Sequence, residues 1–542
     1  MRMISRNIVH AIVLVLGILF LSGCIKNDLP YPVVELKINS ISAEGLIGEP
    51  VINEAERTVT LQLQEQTDIQ NVKINVVEYT EQTTPSKDIV GTHDLRSPLY
   101  VTLSLYQDYE WQIKAKQNIE RKFTVEGQIG ATEWNVQNRS ATAYVGFEDR
   151  SNVTVTELKL AAADISTYEW TEGSNPNDFS TVRYVYVTCH GRTERWDLYV
   201  KTTDVVVDIV QADAWAKMMW LYGEGLSGTD LGFKYRQKGS EEWLVAQDVK
   251  VDGGSFSTCV KGLQELTEYE VMAYSGDDIS AVQSVVTESS TPLEDGGFES
   301  WATIKKIVCP YLSEESAFWG TGNPGAAMVS ATVTDKCDDV RPGSEGQYSA
   351  KLMSQFANMA GIGKFAAGNL FVGKYIATVG TNGIVGFGRK FVSRPAALRF
   401  WIKYNCGAID RIGTLPTGSE LQIGDNDTGS VFIALGDWTK EEYGVDADGE
   451  IKGSDDSPVI IDTRNKATFF NPQSEAVIAY GELILNKSIG EWQQVTIPLE
   501  YVTTSKVPTH IVLVASSSRL GDYFTGSTQS VMWLDDMELL YE

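Results

Sequence analysis

The sequence predicts an all-β chain built from several serial sandwiches. With 542 residues the chain is too long for one domain. Aromatic residues make up 10% of it and 47 residues are glycine, a composition that favours strands and tight turns. Short runs of alternating apolar and polar residues recur between polar turns, and this period of two is the signature of half-buried strands.

The N-terminal segment resembles the lipobox of a bacterial lipoprotein. A basic head precedes an apolar run over residues 8–20, which is too short for a membrane helix, and a small-residue site ends in Cys24. The resemblance implies a signal peptide over residues 1–23, lipidation of Cys24 and a tether over residues 24–32. Such a protein sits in the outer membrane, and the tether favours the cell exterior, with the periplasmic face as the other option. An ordinary signal peptide is the alternative.

Two immunoglobulin-like sandwiches are predicted next. Residues 33–126 contain short alternating strands separated by polar turns, as expected for such a domain. Residues 127–205 repeat the plan, because strand motifs recur at a nearly constant offset, for example at 57–60 and 139–142.

Residues 206–290 resemble a fibronectin type III domain. The resemblance rests chiefly on the segment 263–274. It implies that Leu266 and Tyr269 form the corner that locks the sandwich, so both side chains are expected in the core. The Thr-Pro step after this domain marks a linker.

The chain closes with two apolar runs, 511–515 and 531–540, which predict two buried strands of one sandwich. The second run contains Asp535 and Asp536. A carboxylate inside a buried strand is costly unless it is paired, hydrogen-bonded or bound to a metal.

The sequence Gly-Gly-Phe-Glu-x-Trp at 296–301 and the closing Leu-Asp-Asp-x-Glu-Leu resemble the first and last strands of carbohydrate-binding modules. The resemblance implies a C-terminal jelly-roll sandwich over residues 294–542. It also implies a structural calcium held by Glu299 with Asp535 or Asp536, since calcium prefers several oxygen ligands. The alternative is that Asp536 caps a strand end and that Glu299 is solvated.

Further blocks resemble the family called putative carbohydrate metabolism domain, which covers lipoproteins of Gram-negative polysaccharide users. They occur in order at residues 318–323, 365–371, 434–438, 477–481 and 516–526. This resemblance implies a polysaccharide or oligosaccharide ligand and a place beside outer-membrane uptake machinery.

Several loops of the last domain combine an aromatic ring with polar groups, as sugar binding requires, because a pyranose stacks its apolar face on a ring while its hydroxyls bind the rim. For each tryptophan the alternative is a place in the core. The expected glycan contacts are Trp319, Asn323, Trp438, Arg519, Asp522 and Tyr523.

A glycoside hydrolase is the alternative function, since it needs two facing carboxylates. Sequence spacing does not show which pair would converge, and the four histidines lie in no known catalytic motif. An adhesin or structural spacer with a protein partner is a second alternative. We expect non-catalytic glycan binding. The carboxylates available to an enzyme are Asp425, Asp427, Asp437, Glu441, Asp462, Glu475 and Asp522.

The net charge of −27 repels nucleic-acid backbones, so nucleic acid is excluded as a partner. Apart from calcium, no cofactor is expected. No C-x-x-C spacing occurs among the six cysteines, and those after Cys24 are expected as small buried hydrophobes. Cys309 and Cys337 are the one pair to test for a disulfide.

Overall fold

The computed structural model describes residues 35–54, 56–171, 175–359, 362–416 and 419–542. The predicted signal peptide, Cys24 and the tether lie outside these residues. Strands dominate, and the predicted all-β class of serial sandwiches is confirmed. Within the described ranges, no helix is long and apolar enough to cross a membrane. The described helices are α1 Asn323–Ala326 and α2 Lys440–Tyr443, with 3-10 turns at Ala163–Ile165, Glu314–Ser316, Ala327–Val329, Lys466–Thr468 and Gly521–Tyr523.

Residues 38–117 form two sheets around one core. The strands are β1 Ile38–Ala43, β2 Val51–Asn53, β3 Thr58–Leu63, β4 Val72–Tyr79, β5 Thr84–Pro85, β6 Gly91–His93, β7 Leu99–Ser104 and β8 Asp108–Gln117. The sheet orders are β1-β4-β6 and β2-β3-β8-β7-β5. Alternate residues of each strand enter the core, where the Trp111 indole donates to the backbone oxygen of Leu36 at 3.0 Å.

Residues 122–202 form a second core of the same kind. The strands are β9 Lys122–Val125, β10 Gln128–Asn135, β11 Ser140–Val145, β12 Val155–Lys159, β13 Ser166–Trp170, β14 Arg183–Cys189 and β15 Arg192–Thr202. The sheet orders are β10-β11-β15-β14-β13 and β12-β9. The strands β11 and β15 pair in parallel, as β3 and β8 do. The strands β3 and β11 begin within the motifs at 57–60 and 139–142 that the predicted repeat relates.

Residues 208–286 form a third sandwich. The strands are β16 Asp208–Ala214, β17 Met218–Glu224, β18 Leu231–Gln237, β19 Leu244–Val245, β20 Lys250–Asp252, β21 Ser255–Lys261, β22 Glu268–Ser275, β23 Asp278–Ile279 and β24 Gln283–Val286. Tyr269 is buried, and its hydroxyl accepts from the Gln264 amide at 3.0 Å. The prediction for Leu266 is wrong, because it lies in a turn with φ of 51° and is 73% exposed. Leu263 takes the core position instead.

The C-terminal region contains the remaining strands. They are β25 Ala302–Ile304, β26 Ile307–Cys309, β27 Trp319–Gly320, β28 Thr334–Cys337, β29 Ser349–Met353, β30 Gln355–Met359, β31 Ile362–Ala366, β32 Asn369–Val379, β33 Asn382–Phe387, β34 Arg389–Lys390, β35 Ala397–Asn405, β36 Gly429–Gly436, β37 Val459–Asp462, β38 Val477–Leu485, β39 Ile489–Pro498, β40 Glu500–Tyr501, β41 His510–Ser516 and β42 Val531–Leu540. The two predicted closing strands correspond to β41 and β42.

Two large sheets enclose the main core of this region. The nine-stranded sheet runs β37-β33-β32-β41-β36-β38-β40, with β27 paired to β32 and β34 paired to β41. The five-stranded sheet runs β28-β29-β42-β35-β39. The core between them includes Phe400, Leu513 and Leu534. A second apolar cluster lies on the other face of the nine-stranded sheet.

The third sandwich and the C-terminal region meet at a buried arginine. The guanidinium of Arg394 donates to the backbone oxygen of Ala214 at 3.0 Å and to the Glu288 carboxylate at 2.7 Å. The indole of Trp215 donates to the Thr504 oxygen at 3.0 Å. Because these groups are removed from water and paired, the contact fixes one region against the other.

Candidate functional site

The outer face of the nine-stranded sheet carries the candidate site. Alternate residues of a strand point to opposite faces of its sheet. In β36, Val431 and Ile433 enter the core between the sheets, whereas Phe432 joins the outer cluster. In β41, Leu513 enters the core between the sheets, whereas Val514 packs against the outer cluster. The sheet therefore presents apolar side chains on both faces.

A cavity of about 610 Å³ lies on this outer face. Its walls come from α1, the β30–β31 hairpin, the loop after β37 and the segment 519–524. A volume of this size is typical of small-molecule sites. The aromatic rings that line it are Phe365, Phe371, Tyr375, Phe387, Phe432, Phe470 and Phe524.

Two ring pairs organise the aromatic lining. Phe432 and Phe470 stack with their centroids 5.0 Å apart and an angle of 25° between the planes. Phe371 and Phe387 lie 5.1 Å apart at 51°. Phe432 and Phe470 are only half-buried, so part of their surface faces the cavity. Flat apolar surface of this kind suits a planar or ring-shaped ligand.

A lysine lies in the wall of the cavity. The Lys364 ammonium donates to the Asn382 side-chain oxygen at 2.8 Å and lies 3.8 Å from the centre of the Phe524 ring. Burial lowers the pKa of this lysine, because removal of water disfavours the charged form. The ammonium is thus held against the protein.

Two charged groups of the segment 519–524 line the cavity. The Arg519 guanidinium donates through Nε to Glu482 at 3.1 Å, and its other N–H groups make no hydrogen bond among the described residues. The Asp522 carboxylate is accessible from the cavity and has no hydrogen-bond or ion-pair partner in the described part of the chain. The Asp522 side chain is exposed at the cavity, but the protein atoms that surround it disfavour the charged form and raise its pKa to about 6. These two groups remain available to a ligand.

The structure contradicts the prediction that Trp319 binds glycan. The side chain is 1% exposed, its indole donates to the Glu294 oxygen at 2.9 Å, and its ring lies 5.3 Å from that of Phe298. A ring enclosed in the core offers no face to a sugar.

The predictions for Asn323 and Trp438 are wrong for the same reason. Asn323 is 1% exposed; its amide donates to the backbone oxygens of Val308 and Thr334 and its oxygen accepts two backbone amides. Trp438 is 3% exposed and packs edge-on against Phe470, with 6.1 Å between ring centres. Trp438 therefore supports the cavity wall from behind.

Of the other predicted contacts, Arg519 and Asp522 line the cavity and Tyr523 does not. The half-buried ring of Tyr523 packs edge-on against Phe469 at 5.1 Å, and the Lys466 ammonium lies 5.0 Å from its centre. Neither neighbour lines the cavity. The structure brings together two of the six predicted contacts.

The carboxylates predicted to hold calcium have protein partners. Asp535 is fully buried and accepts from the Arg341 amide at 2.9 Å, while Asp536 accepts from the Arg341 guanidinium at 2.5 Å. Glu299 accepts from the amides of Gln347 and Tyr348. Burial raises the pKa of Asp535 to about 6.

In the described ranges, no group of three or more His, Cys, Asp or Glu side chains converges where it could hold a metal. The guanidinium of Arg341 stands where a cation would neutralise Asp536, so these residues do not fit the implied calcium set. The cysteines 189, 259, 309, 337 and 406 are free thiols, and Cys309 and Cys337 form no disulfide.

The carboxylates considered for an enzyme do not form a pair in the cavity. Asp427 is buried outside the cavity lining and accepts from the hydroxyls of Ser518 and Ser530 at 2.6 and 2.7 Å. Burial raises the pKa of Asp427 despite these bonds. Asp462 is buried too; burial acts to raise its pKa, but its bonds with Arg464 outweigh that effect and lower it. The exposed members are Asp425, Asp437, Glu441, Glu475 and Asp522, and of these only Asp522 lines the cavity.

The aromatic lining was missed by sequence reasoning. Phe371, Tyr375, Phe432 and Phe470 are not among the predicted glycan contacts. These residues come from segments far apart in the chain, so no local motif links them. The one usable signal is the alternation in β32 and β36, which places every second side chain on the outer face, among them Phe371, Tyr375 and Phe432.

Comparisons with known proteins bear on the region that holds the cavity. Residues 297–540 match the family model described as putative carbohydrate metabolism domain. The predicted family resemblance of this region is therefore confirmed, and the match supports a carbohydrate-related role. A search of curated proteins finds no match to the chain.

Several solved structures are similar to the chain. One is a putative glycoside hydrolase from Bacteroides thetaiotaomicron, with 14% identity, coverage of 94% of this chain and 98% of that one, and a TM-score of 0.31. A second, from Bacteroides vulgatus, has 17% identity, coverage of 46% and 98%, and a TM-score of 0.33. A third is the CBM22 tandem domain from Paenibacillus barcinonensis Xyn10C, with 7% identity, coverage of 69% and 93%, and a TM-score of 0.19.

Proposed function

We propose that this chain is an outer-membrane-anchored lipoprotein that binds glycan in the cavity of its C-terminal sandwich, without turnover, during polysaccharide capture or utilisation. The observation that carries the proposal is the cavity of about 610 Å³, which combines half-buried aromatic rings with the charged groups of the segment 519–524. The carbohydrate-domain match over the same region supports it.

The chemistry of the cavity suits one end of a glycan. The exposed surface of Phe432 and Phe470 takes an apolar face of the ligand, either that of a pyranose or that of a group attached to it. The hydroxyls of the sugar donate to the Asp522 carboxylate and accept from the remaining N–H groups of Arg519. Hydrogen bonds to charged groups are stronger than those between neutral groups, so this pair fixes the orientation of the sugar.

Binding without turnover is favoured because the cavity lacks a carboxylate pair. Among the described lining residues Asp522 is the only acid, whereas a glycosidase places two carboxyl groups about 5 to 9 Å apart across the bond. The pKa of Asp522, raised to about 6, is the one feature that favours the enzyme alternative, since a general acid must hold its proton near neutral pH.

The membrane anchor rests on the sequence of the first 24 residues. Acylation of Cys24 would fix the protein to the outer membrane, and several acyl chains together anchor stably where one does not. Metabolic labelling with palmitate and membrane fractionation of a Cys24→Ala variant test this part: the variant should lose both the label and the membrane association.

The glycan proposal is tested with the chain from residue 25 onward. Affinity gels and calorimetry against plant, host and microbial polysaccharides measure binding, with and without a calcium chelator, while reducing-sugar release is followed in the same samples. Retention without release supports the proposal. Release that increases with time would instead establish an enzyme, and failure to bind any glycan would favour the adhesin or spacer.

A further inference from the structure

The cavity is divided unequally between apolar and polar surface. Several polar side chains in its lining already have protein partners. Asn369 accepts from the Gly322 amide at 2.7 Å and donates to Ala367 at 3.2 Å. The hydroxyl of Tyr375 bonds Thr378 at 2.7 Å. Such groups have already used part of their hydrogen-bonding capacity within the protein.

The Ser516 hydroxyl is engaged in the same way, because it donates to the backbone oxygen of Ser518 at 2.7 Å. The Lys364 ammonium uses one of its three N–H groups for Asn382 and lies against Phe524. Of the charged groups, the least engaged lie in one segment, where the Asp522 carboxylate has no partner among the described residues and Arg519 uses only one edge of its guanidinium. In the described part of the lining, the hydroxyls of Thr381 and Ser430 are the neutral groups that remain for a ligand.

An unsubstituted oligosaccharide fits such a cavity poorly. Its hydroxyls are distributed along its whole length, and those placed against Phe371, Phe387 or Val514 would lose water without gaining a partner. Each unpaired hydroxyl would weaken binding. One sugar ring fits beside Asp522 and Arg519, whereas the remaining volume calls for an apolar group.

From this division we infer that the cavity recognises a sugar that carries an aromatic group, either an aryl glycoside or a glycan esterified with an aromatic acid. The aromatic ring of the ligand lies along Phe432 and Phe470, and the sugar contacts Asp522 and Arg519. The inference rests on the proposed function and narrows it to one ligand class. An aromatic guest is favoured over an alkyl chain because the lining itself is aromatic, and offset or edge contacts between rings add to the effect of burial.

The test uses the chain from residue 25 onward and matched pairs of ligands in isothermal titration. One pair is a feruloylated arabinoxylan oligosaccharide and the same compound after removal of the ester with alkali. A second set compares phenyl, hexyl and methyl glycosides of glucose, xylose and galactose. The arabinoxylan pair examines the ester source, and the phenyl glycosides examine the aryl source.

In at least one set, the ligand with the aromatic ring should bind at least about tenfold more tightly than its counterpart without the ring. Its ring is buried in the cavity and also contacts the rings of the lining, and both effects favour binding. Phe470→Ala should remove this preference, while Trp492→Ala on the five-stranded sheet should retain it. Ala357→Trp is a second variant, which fills the cavity from the β30–β31 hairpin without deleting any ring. It should also abolish the preference, and melting curves confirm that each variant folds.

The alternative outcomes separate this inference from the proposed function. Equal affinity for members with and without the ring would overturn the inference and leave glycan binding intact. Hexyl glycosides that bind as tightly as phenyl glycosides would also overturn it. If free ferulate bound as tightly as the feruloylated oligosaccharide, the sugar would contribute nothing to affinity. That result would overturn the inference and count against glycan binding. Absence of binding by every ligand, with no glycan retained in the screen, would reject both.

Discussion

Aromatic side chains occupy the outer faces of both sheets in the C-terminal region, but their surroundings differ. On the five-stranded sheet, Trp533 lies between Lys351 and Lys403, with ammonium-to-ring distances of 5.3 and 4.8 Å. Trp492 faces Lys403 from the next strand at 5.5 Å. On the nine-stranded sheet, no Lys or Arg of the described residues lies over Phe432.

This difference shows what makes an aromatic ring available to a ligand. Cross-strand pairing places both lysines beside Trp533, so each side of that ring already has a cation. Phe432 and Phe470 contact each other and border empty volume instead, whereas Phe524 in the same lining has the Lys364 ammonium against it. A ring on a sheet face therefore indicates a binding site only where its neighbours leave its surface uncovered.

The largest expected effect is a loss of stability when Trp319 is replaced, a residue that lies in the core and on neither outer face. Trp319→Ala should destabilise the C-terminal region by about 3 to 5 kcal/mol, because it empties a fully enclosed site in the core. Trp533→Ala on the five-stranded sheet should cost less, since that ring is only half-buried. Differential scanning calorimetry measures both. A Trp319→Ala variant with an unchanged melting temperature and weakened glycan binding would restore Trp319 as a binding residue.

The next prediction compares how glycan affinity depends on a cationic side chain on each of the two sheets. Arg519→Ala should weaken glycan affinity about tenfold, because it removes a charged donor from the cavity lining. Lys351→Ala, which removes a cation from Trp533 on the other sheet, should leave the affinity unchanged. Isothermal titration with the best glycan of the screen measures both variants. A loss of affinity in Lys351→Ala alone would move the binding site to the five-stranded sheet.

A smaller effect is expected for the lysine between the two tryptophans. Lys403 contacts Trp533 and Trp492 and forms an ion pair with Asp339. Lys403→Ala should lower stability by about 1 kcal/mol, since cation–π contacts at partly exposed sites contribute modestly. The melting temperature should fall slightly while glycan affinity stays constant. A change in affinity without a change in melting temperature would contradict the structural role assigned to this lysine.

The sequence predicted the strands of the C-terminal region better than the site they build. The apolar runs at 511–515 and 531–540 could be predicted because strand periodicity is local. The outer face of β36 could not, since a strand that is apolar on both sides reads as a continuous run and does not show which face borders a cavity. Arg519 and Asp522 were found because polar and aromatic residues share one loop, whereas Trp319 was misjudged because burial depends on distant segments.

The smallest effect is a pH dependence that arises in the cavity lining. The pKa of Asp522 is raised from 3.8 to about 6 in the folded protein, because the surrounding protein disfavours its charge. The folded state therefore holds this proton more tightly than the unfolded chain, and the contribution of Asp522 to stability falls as the pH rises from about 4 to about 6. In Asp522→Asn the side chain cannot ionise, so this loss of stability with rising pH is absent. Its melting temperature relative to the unmodified protein should increase between pH 4 and pH 7.

Asp149 provides a control of opposite sign. Hydrogen bonds from the Ser151 hydroxyl and amide lower the pKa of Asp149, so its charge stabilises the fold at neutral pH and the benefit is lost as the pH falls. Asp149→Asn should therefore melt at a lower temperature than the unmodified protein at pH 7 and approach it at low pH. If both variants shifted in the same direction, the difference would reflect net charge rather than the setting of Asp522. That result would contradict the assignment of Asp522 as a cavity carboxylate with a raised pKa.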